Sequence, residues 1–312
     1  MAARKTNIYI TAYLIIYIIA AAILVAVFNE PVKDILTVFI PLGAGFSLAA
    51  WYLTKNIHCN KNEKPAFTKE AGLLILLIAW IALYITYGSG FIDSLIPKNI
   101  LQNQQAYFLI ILARKLLVFV MVPFLLYQFF SFSLKDFGLG LKRKEIFTQR
   151  NTFIFLCLSV MVLAFQYYLS NGGKNFRHEN FSAFRLIKGF PFVFTWLLIE
   201  AGLVEEFFFR GLLQSRLAVL LKSPAGGIVI SGLIFGVVHA PGLYLRGAES
   251  EGIDEQLPFH FFAAYTIVYM SIAGIFLGIV YNKTKNLWLA MALHAMVDLI
   301  PNFSDFVHTW NL

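Results

Sequence analysis

Seven residues toward the end of the chain, six of them ionisable, stand at spacings that suit acid–base chemistry. The run LVEEFFFRGLL carries Glu205, Glu206 and Arg210. Glu206 and Arg210 are four apart, so on a helix they share a face and can pair. Glu205 then points about 100° away around the helix. One carboxylate is neutralised and the other is left for chemistry. The run GLIFGVVHAPG carries Phe235 and His239, followed at once by Pro241 and Gly242. These two should bend or end the helix near His239 and free backbone polar groups there. The run ALHAMVDLIP carries His294 and Asp298, again four apart on one face. An acidic partner can hold an imidazole in one orientation or favour its charged form. Each group alone also has a plain structural reading: an ion pair near a helix end, a packed histidine, or a His–Asp pair that locks two helices.

A carboxylate and two imidazoles together suit the activation of a water molecule. Either a Glu–His pair takes the proton directly, or a bound metal makes the water a stronger acid. The remaining imidazole could stabilise the oxyanion of a tetrahedral intermediate. A GxSxG elbow is absent, and neither Cys59 nor Cys157 lies near these runs. A covalent serine or cysteine mechanism is therefore disfavoured. A HExxH zinc motif is also absent. Glu200 is a further carboxylate in an apolar run and receives no role from the sequence.

The elements that must position these residues are membrane helices. The chain has 312 residues, is 59% hydrophobic and only 13% charged, against about a quarter charged in a soluble domain. Its mean hydropathy is +0.72. Apolar runs near 20 residues match the helix length that crosses about 30 Å of hydrocarbon. Spans are expected at 7–28, 36–54, 71–89, 107–132, 152–169, 190–213, 226–245, 259–281 and 286–302. Lipid cannot satisfy open backbone groups, so each must be helical. The runs do not alternate, which excludes a β-barrel. The expected fold is an all-α polytopic bundle of eight or nine transmembrane helices. The first run, Ile8 to Phe28, is too long for a signal core and is expected to stay as a helix. Ionisable residues cost about 2.5–3.5 kcal/mol at mid-bilayer and usually face the bundle interior.

Charge sets the expected orientation. The net charge of +8 is better explained by basic cytoplasmic loops than by a nucleic-acid partner. Lys55 to Lys69, Lys135 to Arg150, Arg216 with Lys222, and Lys283 with Lys285 fall inside if the N-terminus is cytoplasmic. The loop with Glu249, Glu251, Asp254 and Glu255 falls outside. Arg114 and Lys115 fit this scheme badly, and suggest a short surface helix followed by a shorter fourth span. The chain divides into N-terminal helices over 1–132, a basic linker and one helix over 133–187, a core over 188–302 and a tail over 303–312. The four helices before the linker carry almost no acidic or imidazole groups at depth. Two cysteines, one in a loop and one in an apolar helix, make no disulfide framework.

The run EEFFFR resembles the EExxxR motif of the CPBP family, the group that contains type II CAAX prenyl endopeptidases and bacteriocin-processing or abortive-infection proteins. FGVVH resembles its FxxxH motif and HAMVD its HxxxN/D motif, in the same order, over roughly residues 188–302. The resemblance implies an intramembrane endopeptidase. Glu205 and His239 would orient and deprotonate the attacking water. His294 and the residue at Asp298 would stabilise the oxyanion, and Glu206 and Arg210 would support the catalytic Glu, with Phe235 beside them. Asp298 stands where many such enzymes carry Asn, and an ionised Asp cannot donate to an oxyanion. It would have to be protonated, orient His294 or bind a metal. Glu205, His239 and His294 are the ligand candidates for a divalent metal such as zinc.

The expected substrate is a membrane-associated peptide or protein, lipidated at a CaaX end or bearing a leader, met in the lipid bilayer. The expected place is a bacterial plasma membrane, with no nucleic acid as partner. Two other readings stay open. One is a non-catalytic immunity or partner-binding protein of the same fold. The other is an ion-coupled transporter, for which buried Glu, His and Asp are equally suited. A transporter of that kind often shows two related halves with broken helices, and the chain shows no strong internal repeat.

Overall fold

A computed structural model describes residues 2–57, 67–97, 100, 102–131, 143–246, 253 and 257–312. The basic run from 132 to 142 and most of the acidic loop with Glu249 to Glu255 lie outside the described residues. Among the described residues eight helices are long and apolar enough to cross a membrane. They are α1 (Thr6–Phe28), α2 (Val32–Thr54), α3 (Thr68–Gly88), α4 (Gln104–Phe129), α5 (Gln149–Leu169), α6 (Ala183–Leu220), α7 (Pro224–Leu245) and α8 (Phe259–Thr284). α9 (Leu287–Leu299) and α10 (Phe303–Trp310) pass the same test together but meet at a bend of 83°. The chain is an integral, multi-pass, all-α membrane protein of eight or nine spans, as its composition requires.

Local chemistry sets the helix ends. Ser182, Ser223 and Asn286 open α6, α7 and α9, and their side chains accept backbone N–H groups one turn on. Pro224 follows Ser223 at the first turn, where its missing N–H costs nothing. α8 stops at Lys285, whose φ of 50° is left-handed. Pro301 lies between α9 and α10 and cannot continue the helix. α7 breaks at Val238 and His239 before resuming at Ala240, where Pro241 and Gly242 call for it.

The buried side chains gather in three clusters. One joins α1, α2, α5 and α8 through Leu24, Phe46, Leu158 and Phe276. A second joins α3, α4 and α6 through Leu77, Tyr127, Phe207 and Leu212. A third joins the start of α6 to α9 and α10 through Val193, Leu299 and Phe303. Large apolar side chains such as Ile18, Ile75, Val160 and Ile187 remain outward, where lipid covers them.

Three expectations need correction. The fourth apolar stretch is one continuous helix rather than a short helix followed by a shorter span: α4 runs unbroken through Arg114 and Lys115. Both cations turn inward, Arg114 to a buried position and Lys115 to carboxylates on α6. The N-terminal helices also bring a buried carboxylate to the bundle, at a helix end. Glu70 at the start of α3 is buried and pairs with Arg216 at 2.8 Å. Arg216 is thus a buried partner rather than a loop cation, because α6 extends to Leu220 and carries it into the bundle.

Candidate active site

Close helix contact places the site. Gly202 on α6 lies so near α9 that an added Cβ would sit 2.5 Å from the Met291 carbonyl oxygen. α7 and α8 meet in the same way, and a Cβ on Gly274 would sit 2.8 Å from the Gly232 Cα. Small residues allow such approach between membrane helices. Arg210 and Gln214 then donate from α6 to the carbonyls of Gly274 and Gly278 on α8. α6 is thereby held between α8 and α9, with α7 alongside.

Glu206 is fully buried and accepts two bonds at one oxygen. Arg210 Nη1 donates at 2.7 Å and His294 Nδ1 at 2.6 Å. Since Glu206 pairs with a guanidinium it acts as acceptor, so the proton of that bond sits on His294 Nδ1. Nε2 of His294 faces Asp298 Oδ2 at 3.4 Å and Glu205 Oε2 at 3.8 Å. Phe235 packs in the middle: Arg210 lies over its ring at 4.7 Å, and its centroid is 4.8 Å from His239 and 5.9 Å from His294.

Glu205 faces the other way. Its Oε2 lies 3.7 Å from His239 Nε2 and accepts no hydrogen bond among the described residues. The Nδ1 of His239 donates to the Phe235 carbonyl at 2.6 Å, a bond made available by the break in α7. A carbonyl has no proton to give, so in the neutral ring Nε2 holds the lone pair. Two acceptors thus face each other across a gap too long for a direct bond and short enough for one water to bond both.

Lys115 of α4 closes the third side, 2.5 Å from Glu200 Oε1 and 3.4 Å from Glu205 Oε1. A cation in an apolar stretch is the signal in the sequence that points to it. Beyond Glu200 lies a cavity of about 160 Å³, walled by Tyr107, Phe108, Trp196 and Phe306. All seven residues singled out in the sequence lie in this one neighbourhood. Among the described residues no group of three His, Cys, Asp or Glu side chains is arranged to hold a metal ion. Glu205, His239 and His294 meet at distances set by a carboxylate between two imidazoles, with an ammonium on its other oxygen.

The chain is, as a class, an integral membrane protein in whose helical bundle a carboxylate and two imidazoles converge. Residues 187–300, just over a third of the chain, match the family described as Type II CAAX prenyl endopeptidase Rce1-like, which supports the resemblance of this core to the CPBP family. No curated protein and no solved structure matches the chain.

Proposed function

We propose that the protein is an intramembrane endopeptidase that hydrolyses a membrane-associated peptide with water activated between Glu205 and His239. The observation that carries this is the pair of acceptors, Glu205 Oε2 and His239 Nε2, facing each other at 3.7 Å within the family segment. A water bonded to both gives its protons to them and turns its lone pairs toward the peptide carbonyl. Attack forms the new C–O bond while the proton passes to the Glu205–His239 pair. The carbonyl electrons move onto oxygen, and His294 Nε2, when protonated, is the donor that meets them. Collapse restores the carbonyl and breaks the C–N bond as the stored proton moves to the amine nitrogen, leaving a carboxylic acid and an amine, between which the second water proton passes to give carboxylate and ammonium. Asp298 lies against His294 Nε2, which favours orientation of that ring as its role. Glu206 and Arg210 act on the same ring from its other nitrogen.

Direct activation is our reading of the chemistry. The ammonium of Lys115 beside Glu205 supports it, since a cation there competes with an ion for the same carboxylate. Among the described residues no three His, Cys, Asp or Glu side chains form a metal-holding group, and the proposed steps use the side chains alone. The substrate class is a peptide held at the membrane, lipidated or leader-bearing, in line with the family's description. The host membrane is taken to be a bacterial plasma membrane, with the N-terminus cytoplasmic. The aromatic cavity beyond Glu200 gives an extended segment a place next to the base.

The test is cleavage by purified protein in detergent, using a lipidated CaaX peptide and a panel of membrane-protein tails, with and without a chelator. Wild type should cleave at least one, Glu205→Ala none, and chelation should leave the rate unchanged. Loss of cleavage on chelation would replace direct activation by metal assistance. Equal rates for wild type and Glu205→Ala would remove Glu205 as the base. A wild type inactive on every substrate would favour a non-catalytic binding protein of this fold.

A further inference from the structure

We infer that Lys115 is a positioning residue for Glu205, supplied to the catalytic centre by an N-terminal helix outside the family segment. The inference rests on the endopeptidase reading above. Glu205 divides its two oxygens between two jobs: Oε2 faces His239 and His294, and Oε1 faces Lys115 Nζ at 3.4 Å. A carboxylate on a three-bond side chain rotates unless one oxygen is held. The ammonium holds Oε1, and Oε2 is thereby aimed at the imidazoles. An ammonium with three donors can hold one acceptor and still bond another.

Glu200 takes the shorter contact, 2.5 Å against 3.4 Å. The cation is thus anchored mainly by Glu200 and only shared with Glu205, so the base is aligned without being locked in a full salt bridge. The geometry that permits this is local. Residues five apart lie about 140° from each other on an α-helix, and Glu200 and Glu205 would then face different neighbours. Residues Leu198 to Leu203 form a π turn instead. Its wider i→i+5 turn brings residues five apart toward one side, here the side that meets α4. A second π turn, Leu116 to Met121, begins immediately after Lys115. Such turns concentrate at functional sites.

A tether between helices would make the same contacts, so the test must separate alignment from anchoring. Lys115→Met leaves Glu200 unpaired and can harm folding; the double variant Lys115→Met with Glu200→Gln removes that stranded charge. The double variant should stay folded in detergent with kcat lowered about 10- to 100-fold, the usual loss when a supporting partner is removed, and KM within about twofold. Lys115→Cys should be similarly impaired and should recover on aminoethylation with 2-bromoethylamine, which rebuilds a lysine-like ammonium. Iodoacetamide should give no recovery, and wild type treated in parallel controls for Cys59 and Cys157. A double variant with wild-type kcat overturns the inference, as does a folded Lys115→Cys that aminoethylation fails to restore. A wild type that cleaves nothing overturns the endopeptidase reading and this role with it, a result visible before any variant is compared.

Discussion

Glu205 and Glu206 are neighbours in the chain with opposite surroundings. Glu206 is buried between a guanidinium and an imidazole N–H, which suits a permanent anion that fixes His294. Glu205 has one oxygen held and one left toward two imidazoles, which suits a base. Glu205→Gln removes the proton acceptor while keeping size and shape. Its kcat should fall about 10²- to 10⁴-fold with an unchanged thermal midpoint, measured by peptide cleavage and unfolding in detergent. Arg210→Met strands the Glu206 charge in a fully buried place. Unfolding measurements should show a loss of about 3–5 kcal/mol, as expected when one partner of a buried pair is removed. Asp298→Asn tests the residue at which this chain departs from the common motif. An amide can donate where a carboxylate cannot, so retained or raised kcat would mean that donation to the oxyanion is what this position supplies. A fall of about tenfold or more, the scale expected for a supporting group, is the outcome expected if Asp298 orients His294.

At the scale of elements, glycines decide how closely the helices meet. The contact of α6 with α9 at Gly202 sets whether Glu206 can reach His294, and the crossing of α7 and α8 at Gly232 and Gly274 sets the support behind Arg210. Gly202→Val places a side chain where the Met291 carbonyl already sits. Overpacking of this kind costs about 1–3 kcal/mol, and here it also moves α9 and His294. The specific activity of the folded fraction should therefore fall along with stability. A substitution on the lipid face, such as Ile75→Leu, should change neither, because that side chain is outward.

At the scale of the whole molecule, cations and carboxylates tie the N-terminal helices to the core. Glu70 of α3 meets Arg216 near the end of α6, and Lys115 of α4 meets Glu200 and Glu205 near its middle. They differ in distance from the chemistry. Glu70→Gln should lower stability by about 3–5 kcal/mol while the folded fraction keeps its kcat, since Arg216 sits about three helical turns beyond Glu205. The double variant Lys115→Met with Glu200→Gln should do the reverse. Comparing the two by unfolding and by turnover per folded molecule separates anchoring from alignment within one protein.

Most of this protein's class was legible before any coordinates. Runs of about 20 apolar residues allow only helices in lipid, and Glu206 with Arg210, or His294 with Asp298, share a face because four residues make just over one helical turn. The break at His239 follows from Pro241 and Gly242 in the same way. These are properties of short stretches of chain, and a sequence carries them fully. The reach of Lys115 into the site, the burial of Glu70 with Arg216, and the turn of Glu206 toward His294 involve residues 90, 146 and 88 positions apart. No periodicity links positions so distant. Which buried charge meets which is decided when helices pack, because the cost of an unpaired charge in the bundle is met only by whatever partner the packing brings alongside.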